Sequence, residues 1–373
     1  MPALKNTPKF QNLDFCQLYF NKIYNGKPTV YLDQNILDKI VSYPSLVEDG
    51  SFLGYDYQVI YSNETLNEIE RSGHSDKFLS VLKELEARRM RFEIDNEFER
   101  TGEVIIDPYI SPYKIYDDYV NRNQVDKIAS KMIENQMAFV FHMFTDKDSQ
   151  NIAQYTECDN ICFEEISENM IESMKITRND IPEDIYILLL RAISDSYQQM
   201  TGQLNIYQNH MLKSITENGI DINSSSGQDG IKRFEETTGI SGKILNNIEA
   251  PNVLEKIYNL YKVHPDFKDI PICDFYLIPE TQGSKKLYRF EKVFNIYLML
   301  NMIGYKRDKG FSKKFKRLIS AQSDAQHLSY ACYCNFVFSE DKSFIDKARA
   351  IFDFLNIGTE VVKMNFNISY DNS

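Results

Sequence analysis

The chain has 373 residues, 43% of them hydrophobic, which supports one large or two ordinary globular domains, and its longest apolar runs fall short of the ~18 residues a membrane-spanning helix needs. Six scattered cysteines exclude a disulfide scaffold, Cys158 and Cys162 lack a second pair to complete a zinc site, and MPALKNTPKF lacks the apolar stretch of a secretion signal; the expectation is a cytoplasmic chain with no membrane partner. A formal charge of −12 argues against a general nucleic-acid coat, although the charge is unevenly spread.

From the N-terminal side the pattern alternates strand and helix. TVYLDQ (29–34) is a β-branched and aromatic run followed by the helical ILDKIVSY, and YQVIYS (57–62) is a second run, followed by NETLNEIE with Ser62 or Asn63 as helix cap. DKFLSVLKELEARR carries an apolar stripe on Phe78, Leu79, Leu82 and Leu85, and MRFEID reads as a third strand. Such alternation implies right-handed crossovers and a parallel sheet. From about residue 96 the pattern turns helical, in 119–144, 182–215 and 251–263, with a loop at 219–230. The Tyr-rich segment 107–119 offers rings either for stacking on bases or for packing against this helical part. Residues 285–317 carry eleven basic side chains against two acidic ones, which reads either as a solvated helix face or as a phosphate-binding surface. Alternation then returns with NFVFS, the helix SFIDKARAIFDFLN (Ile345, Ala348, Ile351, Phe352 and Leu355 on one side) and TEVVKM. The expected fold is α/β, with a five-stranded parallel sheet flanked by helices. Residues 1–95 plus 305–373 would form a discontinuous domain around a mainly helical insertion, 96–304; two unrelated α/β domains are the alternative.

Carboxylates mark the chemistry. Asp33 ends the first strand and Asp341 follows the fourth, and open parallel sheets bind ligands beyond the carboxyl ends of their strands, where strand order reverses. Asp324 is expected to open the helix DAQHLSYACYC, and Glu68 to lie one to two turns into the helix after the second strand, with Glu64 as a nearby substitute. Four carboxylates in one pocket repel one another unless a cation joins them. Oxygen ligands without a His or Cys cluster select Mg2+ or Mn2+, ions able to activate water against a phosphodiester. His327, one turn after Asp324, either meets the scissile phosphate, holds Asp324 or is a buried structural residue. Cys332 and Cys334 are expected in the core.

The stretches VYLDQN, YSNETLNEIE, SDAQHLSYA and FVFSEDKSF resemble the signature segments of PIN-domain ribonucleases, over roughly residues 28–95 and 318–364. The resemblance implies a sheet order of 3-2-1-4-5 and a metal-dependent endoribonuclease. In it Asp33, Glu68, Asp324 and Asp341 would be catalytic and would hold Mg2+ or Mn2+, with Asn35 and Ser339 matching the supporting positions. RNA is the implied substrate, and a toxin or defence role is compatible with the family. Lys306, Arg307, Lys309, Lys313, Lys314, Lys316 and Arg317 directly precede the Asp324 helix and are the candidate RNA-binding residues. The long insertion departs from a minimal member of the family and is a candidate surface for a protein partner, a regulator or self-association. Two further readings stay open: an inactive binding module whose insertion engages a partner or signal, and a DNA-directed nuclease of the related flap-endonuclease class.

Overall fold

A computed structural model of the chain describes residues 26–44, 46, 52–96, 99–121, 152–176, 178, 181–217, 230–279, 281–282, 285–309, 311 and 315–365. Strand β1 (Thr29–Leu32) leads through α1 (Gln34–Ser42) and α2 (Phe52–Asp56) to β2 (Gln58–Tyr61), then through α3 (Asn63–Ser72) and α4 (Ser75–Glu84) to β3 (Arg88–Ile94). β4 (Arg100–Ile106) and α5 (Pro112–Val120) follow. Next come α6 (Ile152–Ile176), α7 (Glu183–Glu217), α8 (Gly230–Thr238), α9 (Gly242–Leu245), α10 (Val253–Lys262) and α11 (Ile272–Phe275). A ribbon of β5 (Thr281–Gln282) and β6 (Lys285–Lys286) precedes α12 (Arg289–Ile303), α13 (Phe315–Ala331), β7 (Phe336–Ser339), α14 (Lys342–Phe354) and β8 (Glu360–Lys363).

The main sheet has the order β4-β3-β2-β1-β7-β8, and every pairing is parallel except β3 with β4. The expected five-stranded, wholly parallel sheet is therefore corrected to a six-stranded, mostly parallel one. The extra strand, β4, falls where the sequence pattern begins the insertion. An antiparallel return needs no crossover helix, so strand and helix alternation carries no sign of it.

Both faces of the sheet are covered, which follows from the two-residue period of its strands. Val30, Leu32, Val59, Tyr61 and Phe338 face one core with Ile36, Leu37, Ile40, Leu66, Ile69 and the Phe78, Leu79, Leu82 and Leu85 stripe. Tyr31, Ile60, Met90 and Val337, the residues between, face a second core built from α10, α12, α13 and α14. Helices α10 and α12, within the expected insertion, thus share a core with the sheet. Segments 182–215 and 251–263 are helical as α7 and α10, whereas 122–144 and the loop 219–229 lie outside the described residues.

Two local expectations change. Helix α13 starts at Phe315, so Asp324 lies in its third turn and does not open it. Leu318 and Ala321 bury against Phe311 and Met302, and that cluster carries the helix further back. On α14 the predicted stripe is buried through Phe352, Leu355 lies at the C-cap and is only partly buried, and Lys347 joins the buried face. Cys332 and Cys334 are buried free thiols. No helix among the described residues is long and apolar enough to cross a membrane.

Candidate metal centre

Strand order reverses between β1 and β7, since β2 lies to one side of β1 and β7 to the other. Each of the three central parallel strands leads within one or two residues to the N-cap of a helix. Asp33 caps α1, Ser62 caps α3 and Asp341 caps α14. Three helix N-termini therefore gather at the carboxyl edge of the sheet, where the backbone leaves partial positive charge.

Asp33 is 5% exposed. Its Oδ1 accepts from the Gln34 backbone N–H at 2.8 Å and its Oδ2 from the Ser339 hydroxyl at 2.6 Å and from the Asn35 amide. Asn35 donates its second amide proton to Ser339 Oγ at 3.2 Å, and the Asp341 N–H donates to the same oxygen at 3.0 Å. Ser339 thus uses its one proton and both lone pairs, linking Asp33 to the backbone that presents Asp341. Asp341 is exposed and commits Oδ1 to the N–H groups of Ser343 and Phe344.

Two pairs spaced four residues apart face each other across α3 and α13. Glu64 and Glu68 share one face of α3, and Ser323 and His327 one face of α13, as the helical period requires. His327 Nε2 meets Glu68 Oε2 at 3.0 Å and its Nδ1 meets the Tyr31 hydroxyl at 2.7 Å. Ser323 Oγ lies 2.5 Å from Glu64 Oε1 and 2.8 Å from Glu68 Oε1, and Arg71 donates to Glu64 at 3.2 Å and to Ser323 at 3.1 Å. Ligand atoms of Glu64, Glu68 and His327 lie within 4.8 Å of one another. His327 therefore holds Glu68 and Tyr31, and Glu64, offered by the sequence as a substitute for Glu68, stands beside it.

Asp324, one residue along from Ser323, is turned about 100° round α13 and accepts from the Tyr297 hydroxyl of α12 at 3.3 Å. Beneath that tyrosine lies Lys347, fully buried, with Nζ 4.1 Å from the ring centroid, 2.9 Å from Asp308 Oδ1 and 3.1 Å from Asn301 Oδ1. Gly304, at φ 96°, ends α12 and turns the chain so that the Asp308 N–H returns to Asn301 Oδ1 at 3.1 Å. Asp308 and Lys347 were not singled out in the sequence; the available signal was a lysine on the apolar stripe of α14.

The charges act on one another. Burial, with Glu68 adding to it, pushes the Asp33 carboxyl up to about 6 against the pull of Ser339 and His327. Burial and then the Asp33 and Asp308 charges hold the Asp324 carboxyl well above the usual range, eased by Lys347 and His327. Burial opposes ionisation of Glu68 too, but His327, Ser323 and Arg71 outweigh it and hold that carboxyl below its ordinary value. For His327, burial opposes the charge and Tyr31, Glu68 and Glu64 more than offset it, so the imidazole titrates well above its ordinary value. The Tyr297 hydroxyl is held protonated by burial and then by Asp324, Asp308, Asp33 and Asp341 together.

Asp33, Glu68 and Asp324 thus lie within electrostatic reach of one another through Asp33, and Asp341 joins them through Tyr297 and Ser339. Among the described residues Asp33, Asp324 and Asp341 form no ion pair. Asp33 is buried, Asp324 half-buried and Asp341 exposed; the first two resist ionisation and none of the three has an ion-pair partner among the described residues, a set that a hard divalent ion such as Mg2+ or Mn2+ fits.

The candidate RNA-binding residues divide. Lys306 pairs with Asp346 at 3.3 Å and bonds Asn246, and Arg307 pairs with Glu235 at 3.0 Å and bonds the carbonyls of Asn301 and Met302, so both are engaged inside the protein. Lys309 and Arg317 are exposed, Lys316 lies in α13, and Lys313 and Lys314 fall outside the described residues. In the Tyr-rich segment, Tyr109 and Tyr113 are exposed while Ile115 is buried. Compared with known protein families, curated proteins and solved structures, the chain matches none.

Proposed function

We propose that the chain is a metal-dependent, PIN-like endoribonuclease that hydrolyses RNA phosphodiester bonds at this carboxyl edge. The observation that carries the reading is the gathering of acids from separate segments at the carboxyl edge of the sheet, with buried Asp33 joined to Asp341 through Ser339. The Tyr297 hydroxyl lies in the field of Asp33, Asp308, Asp324 and Asp341, and Asp33 lies in that of Glu68. The order β3-β2-β1-β7-β8 of the parallel strands supports the PIN-like assignment, with β4 as an addition at the edge.

In this reading Asp33, Asp324, Asp341 and Glu68 hold Mg2+ or Mn2+. Such an ion supplies an ionised water at neutral pH and offsets the charge that builds on the leaving oxygen. Ser339 and Asn35 hold Asp33 in one orientation, Tyr297 holds Asp324, and His327 holds Glu68. Lys309 and Arg317 offer exposed charge to the phosphate backbone of RNA.

The test is cleavage of single-stranded and structured RNA, and of branched DNA, by the wild type and Asp33→Asn with Mn2+. Loss of RNA cleavage in the variant is expected. Equal activity in both removes Asp33 from the chemistry, and preference for branched DNA moves the reading to a flap-type nuclease. One observation favours a second reading, an inactive binding module: Arg71 and His327 already neutralise the Glu64 and Glu68 side of the pocket. Calorimetric titration with Mn2+ separates the two, since a binding module gives no heat.

A further inference from the structure

We propose that Lys347 is a built-in counter-cation of this site, so that the pocket holds one divalent ion and the lysine ammonium stands where a second would otherwise be needed. The inference rests on the hydrolase reading and deepens it.

The geometry begins with the helix. Asp341 caps α14, and Lys347, six residues on, lies on its buried face between Phe344 and Ile351. All three N–H bonds of the ammonium have a direction to take. One lies toward Asp308 Oδ1 at 2.9 Å, one toward Asn301 Oδ1 at 3.1 Å, and the Tyr297 ring centroid lies 4.1 Å from Nζ. Lys347 therefore has no donor left for a substrate and acts through its field, as a positioning residue. Tyr297, whose ring it covers, donates to Asp324, and Ser343, two residues after Asp341, donates to Asp308 at 2.6 Å. Burial lowers the lysine's pKa, while Asp308, Asp324 and Asp341 each favour its charged form.

A structural ion pair is the plainer explanation, and its energetics count against it. Buried ion pairs are commonly neutral or costly relative to apolar residues of the same size, and with Lys347 fully and Asp308 mostly buried the pair has no clear stabilising purpose alone. Charge balance supplies one. Arg71 and His327 serve the Glu64 and Glu68 side, Lys347 serves the Asp308, Asp324 and Asp341 side, and Asp33 between them has only neutral donors. Asp33 feels the His327 charge only at a distance and has no cation paired to it among the described residues, and one ion fills that place.

The experiment is Mn2+ binding, followed by calorimetry and by electron paramagnetic resonance, on the full chain, on Lys347→Met, which removes the positive charge alone, and on Lys347→Met/Asp308→Asn, which removes one charge of each sign. One ion per chain is expected for the wild type. In Lys347→Met the Asp308, Asp324 and Asp341 side loses its counter-charge, so a second ion enters or the first binds at least tenfold more tightly, whereas the double variant, with its net charge unchanged, keeps the wild-type stoichiometry. Two ions in the wild type, or a folded Lys347→Met with wild-type stoichiometry and affinity, overturns the proposal and leaves the hydrolase reading standing. No ion in the wild type overturns both. If circular dichroism shows Lys347→Met unfolded, the same titration on Lys347→Gln decides.

Discussion

Replacing Asp33 with asparagine separates what this carboxyl does for chemistry from what it does for folding. Its titration moves from an ordinary 3.8 up to about 6 in the folded chain. A shift of about two units is worth about 3 kcal/mol between the protonation states. The sign is unfavourable to the folded state. A carboxyl that is harder to ionise when folded costs nothing below pH ~3.8, costs progressively more between pH ~4 and ~6, and its cost is full above that. Asparagine keeps the helix cap, because Asn and Asp cap about equally well. It loses the two bonds that Oδ2 accepts from Ser339 and Asn35, since an amide nitrogen then faces both donors, at about 1 kcal/mol each. The net expectation in chelator at pH 8 is a variant about 1 kcal/mol more stable than the wild type, with the gain vanishing at pH ~5.3. Mn2+ at 100 times its dissociation constant adds about 2.7 kcal/mol to the wild type and little to the variant. Urea unfolding followed by circular dichroism, at both pH values with and without Mn2+, measures all four quantities. A variant less stable than the wild type at pH 8 in chelator, or one stabilised by Mn2+ as much as the wild type, refutes the reasoning.

Ser339→Ala removes the hydroxyl that joins Asp33 to the Asp341 backbone, and is expected to weaken Mn2+ binding by about 10- to 100-fold while the chain stays folded; unchanged affinity in calorimetry counts against the network. His327→Leu leaves Glu68 and Tyr31 without their partner and is expected to cost about 3 kcal/mol in denaturant unfolding. Because the folded imidazole titrates above the unfolded one, that contribution is full below pH ~6.5 and lost as pH rises through the higher folded value. Imidazole nitrogen spectra of the cation-free protein at pH 7.5 are expected to show both ring nitrogens of His327 protonated, and a neutral ring there refutes this. Lys306→Gln and Arg307→Gln are expected to lower thermal stability without changing RNA affinity. Lys309→Gln and Arg317→Gln are each expected to reduce RNA affinity and flatten its salt dependence by about one unit of slope, read by fluorescence anisotropy across salt concentrations; the reverse pattern refutes the division of this basic segment.

Much of the scaffold was legible because it is written locally. A strand of four residues followed by the cap Asp33, Ser62 or Asp341 declares both the strand's end and the helix's start, and hydrophobic period separates the two elements. Strand β4 escaped because a hairpin return has no helix to announce it. The start of α13 escaped because its first turns are held by tertiary contacts of Leu318 and Ala321. Within the site, Asn35 and Ser339 were readable as supports of Asp33 because one lies two residues from it and the other ends the neighbouring strand.

By itself the sequence determined which carboxylates stand at strand ends, which helices follow them and which face of each is apolar, since these depend on residues within a turn or two of one another. Only the tertiary structure decided the partners of those charges: Glu68 with His327, 259 positions away; Asp308 with Lys347, 39 positions away; Lys306 and Arg307 turned inward to Asp346 and Glu235. The reason is physical. A charge in a buried pocket is balanced by whatever the packing of helices brings within a few ångströms, and packing angles between distant segments leave no trace in local pattern.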